Sequence, residues 1–121
     1  MRLKRFNLKI SNKILPFRKT IKVDADKSIS IRSFLIAAIS QNISVARNIL
    51  ESDDVFSTIN CLKKLGVRIK KLKSKHYLIY GKGMGSLSLK KNEKLNFGNS
   101  GTLARLLIGI LSTTPGITVN I

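Results

Sequence analysis

Polar and apolar positions alternate along this chain with two different periods. Phe6, Leu8 and Ile10 alternate with polar residues, which predicts a strand over residues 4–10. Pro16 marks a break, and Arg18-Lys19-Thr20-Ile21-Lys22-Val23 predicts a second strand. From about residue 28 to residue 40 the period becomes helical, around Phe34-Leu35-Ile36-Ala37-Ala38-Ile39. Residues 43–49 predict a strand. Val55, Ile59, Leu62 and Leu65 then share one face of a helix predicted over 53–65. Ser52-Asp53-Asp54 opens that helix with a cap and favourable acidic charge, and Gly66 closes it. Residues 67–73 and 76–81 predict a hairpin of two strands. The order is strand, helix, strand, helix, strand, strand, the pattern of an α/β fold. A second round begins with a strand over Lys94–Phe97, a turn over 98–102, a helix over 103–112 and a strand from Ile117 to Ile121. The two rounds have similar helix starts, with small polar residues at the cap and an Arg about a turn inside, Arg32 or Arg105. That similarity points to an internal structural repeat. The last strand pattern has nothing after it to pair with, so the chain is expected to be the beginning of a longer protein.

Composition adds bounds to this picture. The 121 residues are 43% apolar, enough for one modest domain with a core rather than a disordered chain. Cys61 is the single cysteine, so no disulfide forms within the chain, which fits a reducing compartment. It lies inside the second helix pattern, follows no catalytic signature, and is expected to be a small buried hydrophobe. The charge is extreme: 23 Lys and Arg against 6 Asp and Glu, a net +17. Such a field attracts nucleic acid, acidic membrane surfaces or small phosphorylated metabolites. With 2 Tyr, 5 Phe and no Trp, no interleaving of aromatic and basic residues forms a base-stacking platform. Residues 1–22 carry eight basic groups and no acidic one, as transit peptides do, but their strand alternation favours structured chain. No apolar run reaches the ~18–20 residues that span a bilayer. The longest, Leu103 to Leu111, is interrupted by Arg105.

Two segments carry candidate chemistry. In Asp26-Lys27-Ser28-Ile29-Ser30-Ile31-Arg32, Ser28 is expected to cap the first helix. Lys27 precedes that cap, and Arg32 lies about one turn along the same face. One helix start thus gathers backbone N–H groups, a hydroxyl, an ammonium and a guanidinium, the chemistry of a phosphate or carboxylate site. In Gly98-Asn99-Ser100-Gly101-Thr102, Gly101 lets a ligand approach the backbone, and the polar side chains add donors at a helix start. Gly81-Lys82-Gly83-Met84-Gly85 lacks the spacing of a nucleotide loop and is expected to be a connection. His76 is expected at the surface, and no spacing of His, Cys or carboxylates predicts a metal. Of Glu51, Asp53 and Asp54, helix capping accounts for at least two.

At these segments the chain resembles the enolpyruvyl transferase family. Asp26-Lys27-Ser28-Ile29-Ser30-Ile31-Arg32 is similar to its first signature, Lys-Ser-x-Ser-x-Arg. Leu50-Glu51-Ser52-Asp53-Asp54-Val55 resembles its acidic helix start, Leu65-Gly66-Val67 its helix exit, and Gly98-Asn99-Ser100-Gly101-Thr102 with Arg105 its second signature. Lys27-Ser28 resembles the branch acting on shikimate 3-phosphate; the UDP-N-acetylglucosamine branch typically carries Lys-Asn. The chain departs from the family pattern at Leu106, where many members have proline, at Ser100 and Leu103, and in its length.

The resemblance implies a fold of βαβαββ units in two halves, an inside-out α/β barrel-like arrangement. One unit would span about 23–90 and a second would start over 91–121, forming part of the N-terminal substrate-binding domain, while residues 1–22 would belong with the other half. It implies transfer of the enolpyruvyl group of phosphoenolpyruvate to the 5-hydroxyl of shikimate 3-phosphate, with release of phosphate, on the route to chorismate and the aromatic amino acids. Lys27, Ser28 and Arg32 would bind shikimate 3-phosphate. Lys27 and Gly101 would meet phosphoenolpyruvate, with Asn99, Ser100, Thr102 and Arg105 shaping the loop. No metal or organic cofactor is implied, nor a membrane or nucleic-acid partner. A cytoplasmic, monomeric full-length enzyme is implied, whose acid/base groups lie outside these residues, so the 121-residue chain alone is expected to be inactive. The competing readings are the UDP-N-acetylglucosamine branch and a small basic nucleic-acid-binding protein, which the charge alone supports.

Overall fold

A computed structural model describes residues 18–91 and 93–118, together with Lys9, Ser11, Lys13, Leu15 and Pro16. Helix α1 spans Lys27–Ile39, strand β1 Ile43–Arg47, helix α2 Asp53–Lys64, strand β2 Arg68–Lys73, strand β3 His76–Tyr80 and helix α3 Gly101–Ser112. The strands form one antiparallel sheet in the order β1-β3-β2. Val45 pairs with Leu78, and Ile69 with Ile79. Helix α2 carries the chain back so that β1 and β2 run in the same direction, and the tight β2–β3 connection reverses β3, which lies between them and pairs antiparallel with both.

Helices α1 and α2 cover one face of the sheet, and α3 packs on α1. Ile31, Phe34, Leu35 and Ala38 of α1 meet Val55, Ile59 and Leu62 of α2, Tyr77 and Ile79 of β3, and Leu103, Leu107 and Leu111 of α3 in one buried core. The spacing in α2 buries the face it predicts. Helix α1 is different: it is apolar nearly all round, and Ile29 and Ile36 remain 66% and 65% exposed. Cys61 is buried, as expected, and burial pushes its thiol pKa up.

Helix α2 ends as its sequence dictates. Gly66 takes a φ of +85°, its N–H donates to Lys63 O, and Val67 N–H donates to Leu62 O. That pair of bonds is the Schellman arrangement, which a glycine at this position permits.

Five expectations need correction or lie outside the described residues. Residues 18–23 form no strand: Ile21 and Val23 stay exposed, and no described segment pairs with them. Residues 94–97 form no strand either, and two of their carbonyls are taken by side chains of α2. Lys64 Nζ donates to Lys94 O at 2.7 Å, and Cys61 Sγ donates to Asn96 O at 3.2 Å. The strand expected over 4–10 lies almost wholly outside the described residues, as does the end of the one expected over 117–121. Ser28 does not cap α1: Asp26 does, its carboxylate accepting from Ile29 N–H at 2.7 Å. Asp26 sits in extended backbone just before the helix, where a short carboxylate reaches the first-turn amides.

The loop between β1 and α2 is fastened to the hairpin by one carboxylate. Glu51 Oε1 accepts from Tyr77 Oη at 2.7 Å, Lys71 Nζ at 2.8 Å and Lys75 N–H at 3.0 Å. These donors, Lys71 first, hold the Glu51 pKa near 2, below its ordinary 4.5. A depressed carboxylate pKa stabilises the fold above the unfolded value, and that contribution fades as pH falls from about 4.5 toward about 2. The thermal midpoint of the wild-type chain is therefore expected to drop through that window, with a shallower slope in Glu51→Gln. Identical slopes in circular-dichroism melts across pH ~2–6 would remove Glu51 from the account.

Candidate functional site

Polar bonds place the starts of α1, α2 and the hairpin tip at one end of the molecule. Ser30 Oγ accepts from Leu50 N–H at 3.0 Å, joining the first turn of α1 to the chain entering α2. Ile49 N–H donates to Lys75 O, bringing the β2–β3 tip to the same place. Lys27, the first residue of α1, reaches across to the first turn of α2, with Nζ 2.7 Å from Asp54 Oδ2.

The second motif approaches α2 as well. A methyl group on Gly98 would lie 2.8 Å from Ser57 Oγ, so this turn rests against the second turn of α2. Gly98 has a φ of +58°, and its N–H donates to Asn96 Oδ1 at 2.9 Å. Ser100 caps α3, its hydroxyl accepting from Leu103 N–H at 3.2 Å. Both candidate motifs therefore touch α2 near its start, and α2 bridges them.

The two motifs leave different groups free. Ser100 is buried and engaged in capping, which gives it a structural part. Gly101 and Asn99 are exposed, and nothing stands within 4 Å of where a Gly101 side chain would begin. Thr102 is half-buried and Arg105 is exposed on the first turns of α3. Arg32 is exposed on α1, and among the described residues it pairs with no carboxylate. Ser28 is half-buried, and its hydroxyl is released from the capping duty that Asp26 performs.

The electrostatics of the three helix starts differ. Neither α1 nor α3 has an acidic residue in its first turn, whereas α2 has Asp53 and Asp54. The positive end of α3 therefore remains open to an anion, whereas that of α1 already meets the Asp26 carboxylate, and Lys27, Arg32 and Arg105 supply full positive charges at the two helix starts. Ser52 holds the cap position of α2, but its hydroxyl makes no capping bond. Asp53 and Asp54 meet that helix dipole instead.

Several contacts have no signal in the local sequence pattern. For the cap of α1 there is one: Asp26, two residues before Ser28. The Lys27–Asp54 pair, the Gly98–Ser57 approach and the Glu51 junction join residues far apart in the chain, and no local pattern marks them. His76 is half-buried, with Nδ1 2.8 Å from Ser74 O. Among the described residues no group of His, Cys, Asp and Glu could hold a metal ion. No helix among them is long and apolar enough to cross a membrane.

Comparison with known proteins gives one answer. The family described as EPSP synthase (3-phosphoshikimate 1-carboxyvinyltransferase) matches residues 11–120. The 3-phosphoshikimate 1-carboxyvinyltransferase of Syntrophomonas wolfei is 36% identical over 111 residues, covering 92% of this chain and 26% of that protein. That of Alkaliphilus oremlandii is 43% identical over 107 residues, covering 88% and 24%. That of a Thermoanaerobacter strain is 50% identical over 93 residues, covering 76% and 21%. Among solved structures, EPSP synthase from Acinetobacter baumannii matches with a TM-score of 0.69 at 36% identity, over 78% of this chain and 21% of that one. The chain thus spans about a quarter of the length of the curated relatives it matches. The motifs Lys27-Ser28-Ile29-Ser30-Ile31-Arg32 and Gly98-Asn99-Ser100-Gly101-Thr102, standing in that order at the starts of α1 and α3, and a match over residues 11–120 place the chain in the EPSP synthase family.

Proposed function

We propose that this chain supplies part of the substrate cleft of an enolpyruvyl transferase that joins phosphoenolpyruvate to shikimate 3-phosphate. The observation that carries this reading is the contact of both motifs with α2, through Lys27–Asp54 and Gly98–Ser57. Two multiply anionic substrates need several fixed cations and N–H donors on one side of a cleft. Arg32 and Ser28 would grip the phosphate of shikimate 3-phosphate. Lys27 would reach both substrates, and the open backbone at Gly101 would lie against phosphoenolpyruvate. Asn99, Ser100, Thr102 and Arg105 hold that loop in shape.

The chemistry gives these groups a purpose. Protonation of the enol carbon makes the adjacent carbon electrophilic, and the 5-hydroxyl of shikimate 3-phosphate attacks it. The hydroxyl proton leaves as the tetrahedral intermediate forms, and that intermediate then expels phosphate and gives up a proton from its methyl carbon, restoring the double bond of the enolpyruvyl group. Charge held close by fixed donors, with the hydroxyl and the enol in register, lowers the barrier. No residue of this chain is assigned the proton transfers. The domain reading is one unit over about 23–90, whose described elements run α1, β1, α2, β2, β3, followed by the start of a second, acting in the cytoplasm within a monomeric enzyme.

Titrating the 121-residue chain with shikimate 3-phosphate is expected to give saturable shifts of amide NMR signals at the starts of α1 and α3. Arg32→Ala is expected to weaken that binding about tenfold or more, the scale of an arginine–phosphate contact. Unchanged affinity in Arg32→Ala would defeat the assignment. Tight duplex binding that collapses with salt would favour a nucleic-acid partner instead.

A further inference from the structure

Lys27 stands where its own helix disfavours it. It is the first residue of α1, at the positive end of the helix dipole, where a cation is repelled rather than held. Asp26, the nearest carboxylate in sequence, uses Oδ1 to accept the Ile29 N–H. The carboxylate that does meet the ammonium comes from another helix. Asp54 Oδ2 lies 2.7 Å from Lys27 Nζ, and the Asp54 side chain is only 16% exposed.

Asp54 is well placed for this duty. It belongs to the first turn of α2, whose dipole favours its negative charge. The backbone beneath it is tied by Thr58, whose hydroxyl donates to Asp54 O at 2.9 Å. The lysine is more mobile by nature, a point charge on a flexible stem that leaves its side chain 51% exposed. Binding it to a fixed anion removes most of that freedom. An ammonium has three donors, so one bond to Asp54 leaves two for a ligand.

We propose that Asp54 is the positioning residue that holds the Lys27 ammonium toward the phosphorylated substrates, an inference that rests on the substrate reading above. Asp54 does not itself touch the substrate anion. The ammonium stands between the two negative groups, so the carboxylate costs little repulsion while it fixes the cation. This separates Asp54 from Asp53, its exposed neighbour, which among the described residues makes no ion pair.

The test uses the 121-residue chain with lysine side chains labelled with nitrogen-15. In the wild type, the Lys27 ammonium is expected to give an NMR signal resolved from those of solvated lysines. Asp54→Asn is expected to merge it with them and to weaken shikimate 3-phosphate binding about tenfold, as loss of orientation does. Asp54→Glu, which keeps the charge, is expected to recover the resolved signal and part of the affinity. Asp54→Ser keeps a residue suited to a helix start and replaces Asp54→Asn if that variant does not fold. An unchanged Lys27 signal in Asp54→Asn overturns the proposal. So does equal or tighter binding in Asp54→Asn when Lys27→Ala has lost it, since Asp54 would then be a competitor of the substrate. If Lys27→Ala binds as the wild type does, the substrate reading itself falls, and that result is distinct from the other two.

Discussion

Replacing Phe34 with alanine is expected to destabilise the chain by about 3–5 kcal/mol. Phe34 is fully buried in the middle of α1, with its ring edge-on to Tyr77 at 5.3 Å and 75°. It is the place where the helical layer meets β3. Removing the ring loses its transfer free energy, leaves a cavity, and strips Tyr77 of its aromatic partner. Tyr77 is also the residue whose hydroxyl holds Glu51, so the damage reaches the polar junction beneath it. Whole domains of this size are stable by only ~5–15 kcal/mol, so the variant loses a large share of the total. Urea unfolding monitored by circular dichroism measures the loss. A change below about 1 kcal/mol would mean that the core relaxes around the gap, against the usual behaviour of buried aromatics.

Gly81→Ala is the second large effect, and its cause is steric. Gly81 does not take a positive φ; it is crowded. A methyl group there would come within 3.0 Å of the carbonyl oxygens of Ala37 and Ser40 and of Ser40 Oγ. The strap cannot move aside easily. Gly81 N–H donates to Asn42 O at 3.2 Å, Lys82 N–H to Ala38 O at 2.9 Å, and Gly83 N–H to Ser40 O at 2.7 Å. The last two of these bonds satisfy carbonyls that α1 leaves open at its C-terminus. The substitution is expected to cost at least ~1–3 kcal/mol and to expose the Lys82 and Gly83 amides to faster hydrogen exchange. Gly109→Ala is the control: it lies within α3 with nothing within 4 Å of a new methyl. There alanine is expected to gain about 0.5–1 kcal/mol through helix propensity. Equal effects at the two positions would refute the crowding argument.

Elements written in local periodicity are legible in the sequence. Helix α2, with Val55, Ile59 and Leu62 inward and Gly66 at its exit, and the hairpin β2–β3 follow from spacing and turn residues. The strands expected at 18–23 and 94–97 fail because a strand exists only with a partner, and a β-like pattern says nothing about one. At 94–97 the backbone oxygens bond to α2 side chains, an arrangement no alternation of residues could reveal. The site is half legible. Its two motifs stand in the sequence, since helix starts and glycine turns are local devices. The cap expected at Ser28 falls instead at Asp26 because both are good capping residues, two positions apart, and the backbone dihedrals decide between them. What unites the motifs is invisible in the sequence, because Lys27 finds Asp54, and Gly98 finds Ser57, only after the helices pack.

Helix α1 has a colloidal consequence. Ile29 and Ile36 lie two turns apart on the same side with Arg32 and Ser33 between them, leaving an oily stripe broken by one cation on the surface of a chain with net charge +17. Two copies approaching through that stripe must first bring two strongly positive bodies together. At low ionic strength the repulsion reaches tens of ångströms, about 30 Å at 0.01 M, and keeps the copies apart. At 1 M the same field dies within about 3 Å, while burial of the stripe gains as much as before. Salt therefore acts on this chain in opposite senses: it loosens the grip of Lys27 and Arg32 on an anion and brings the isoleucines of neighbouring copies together.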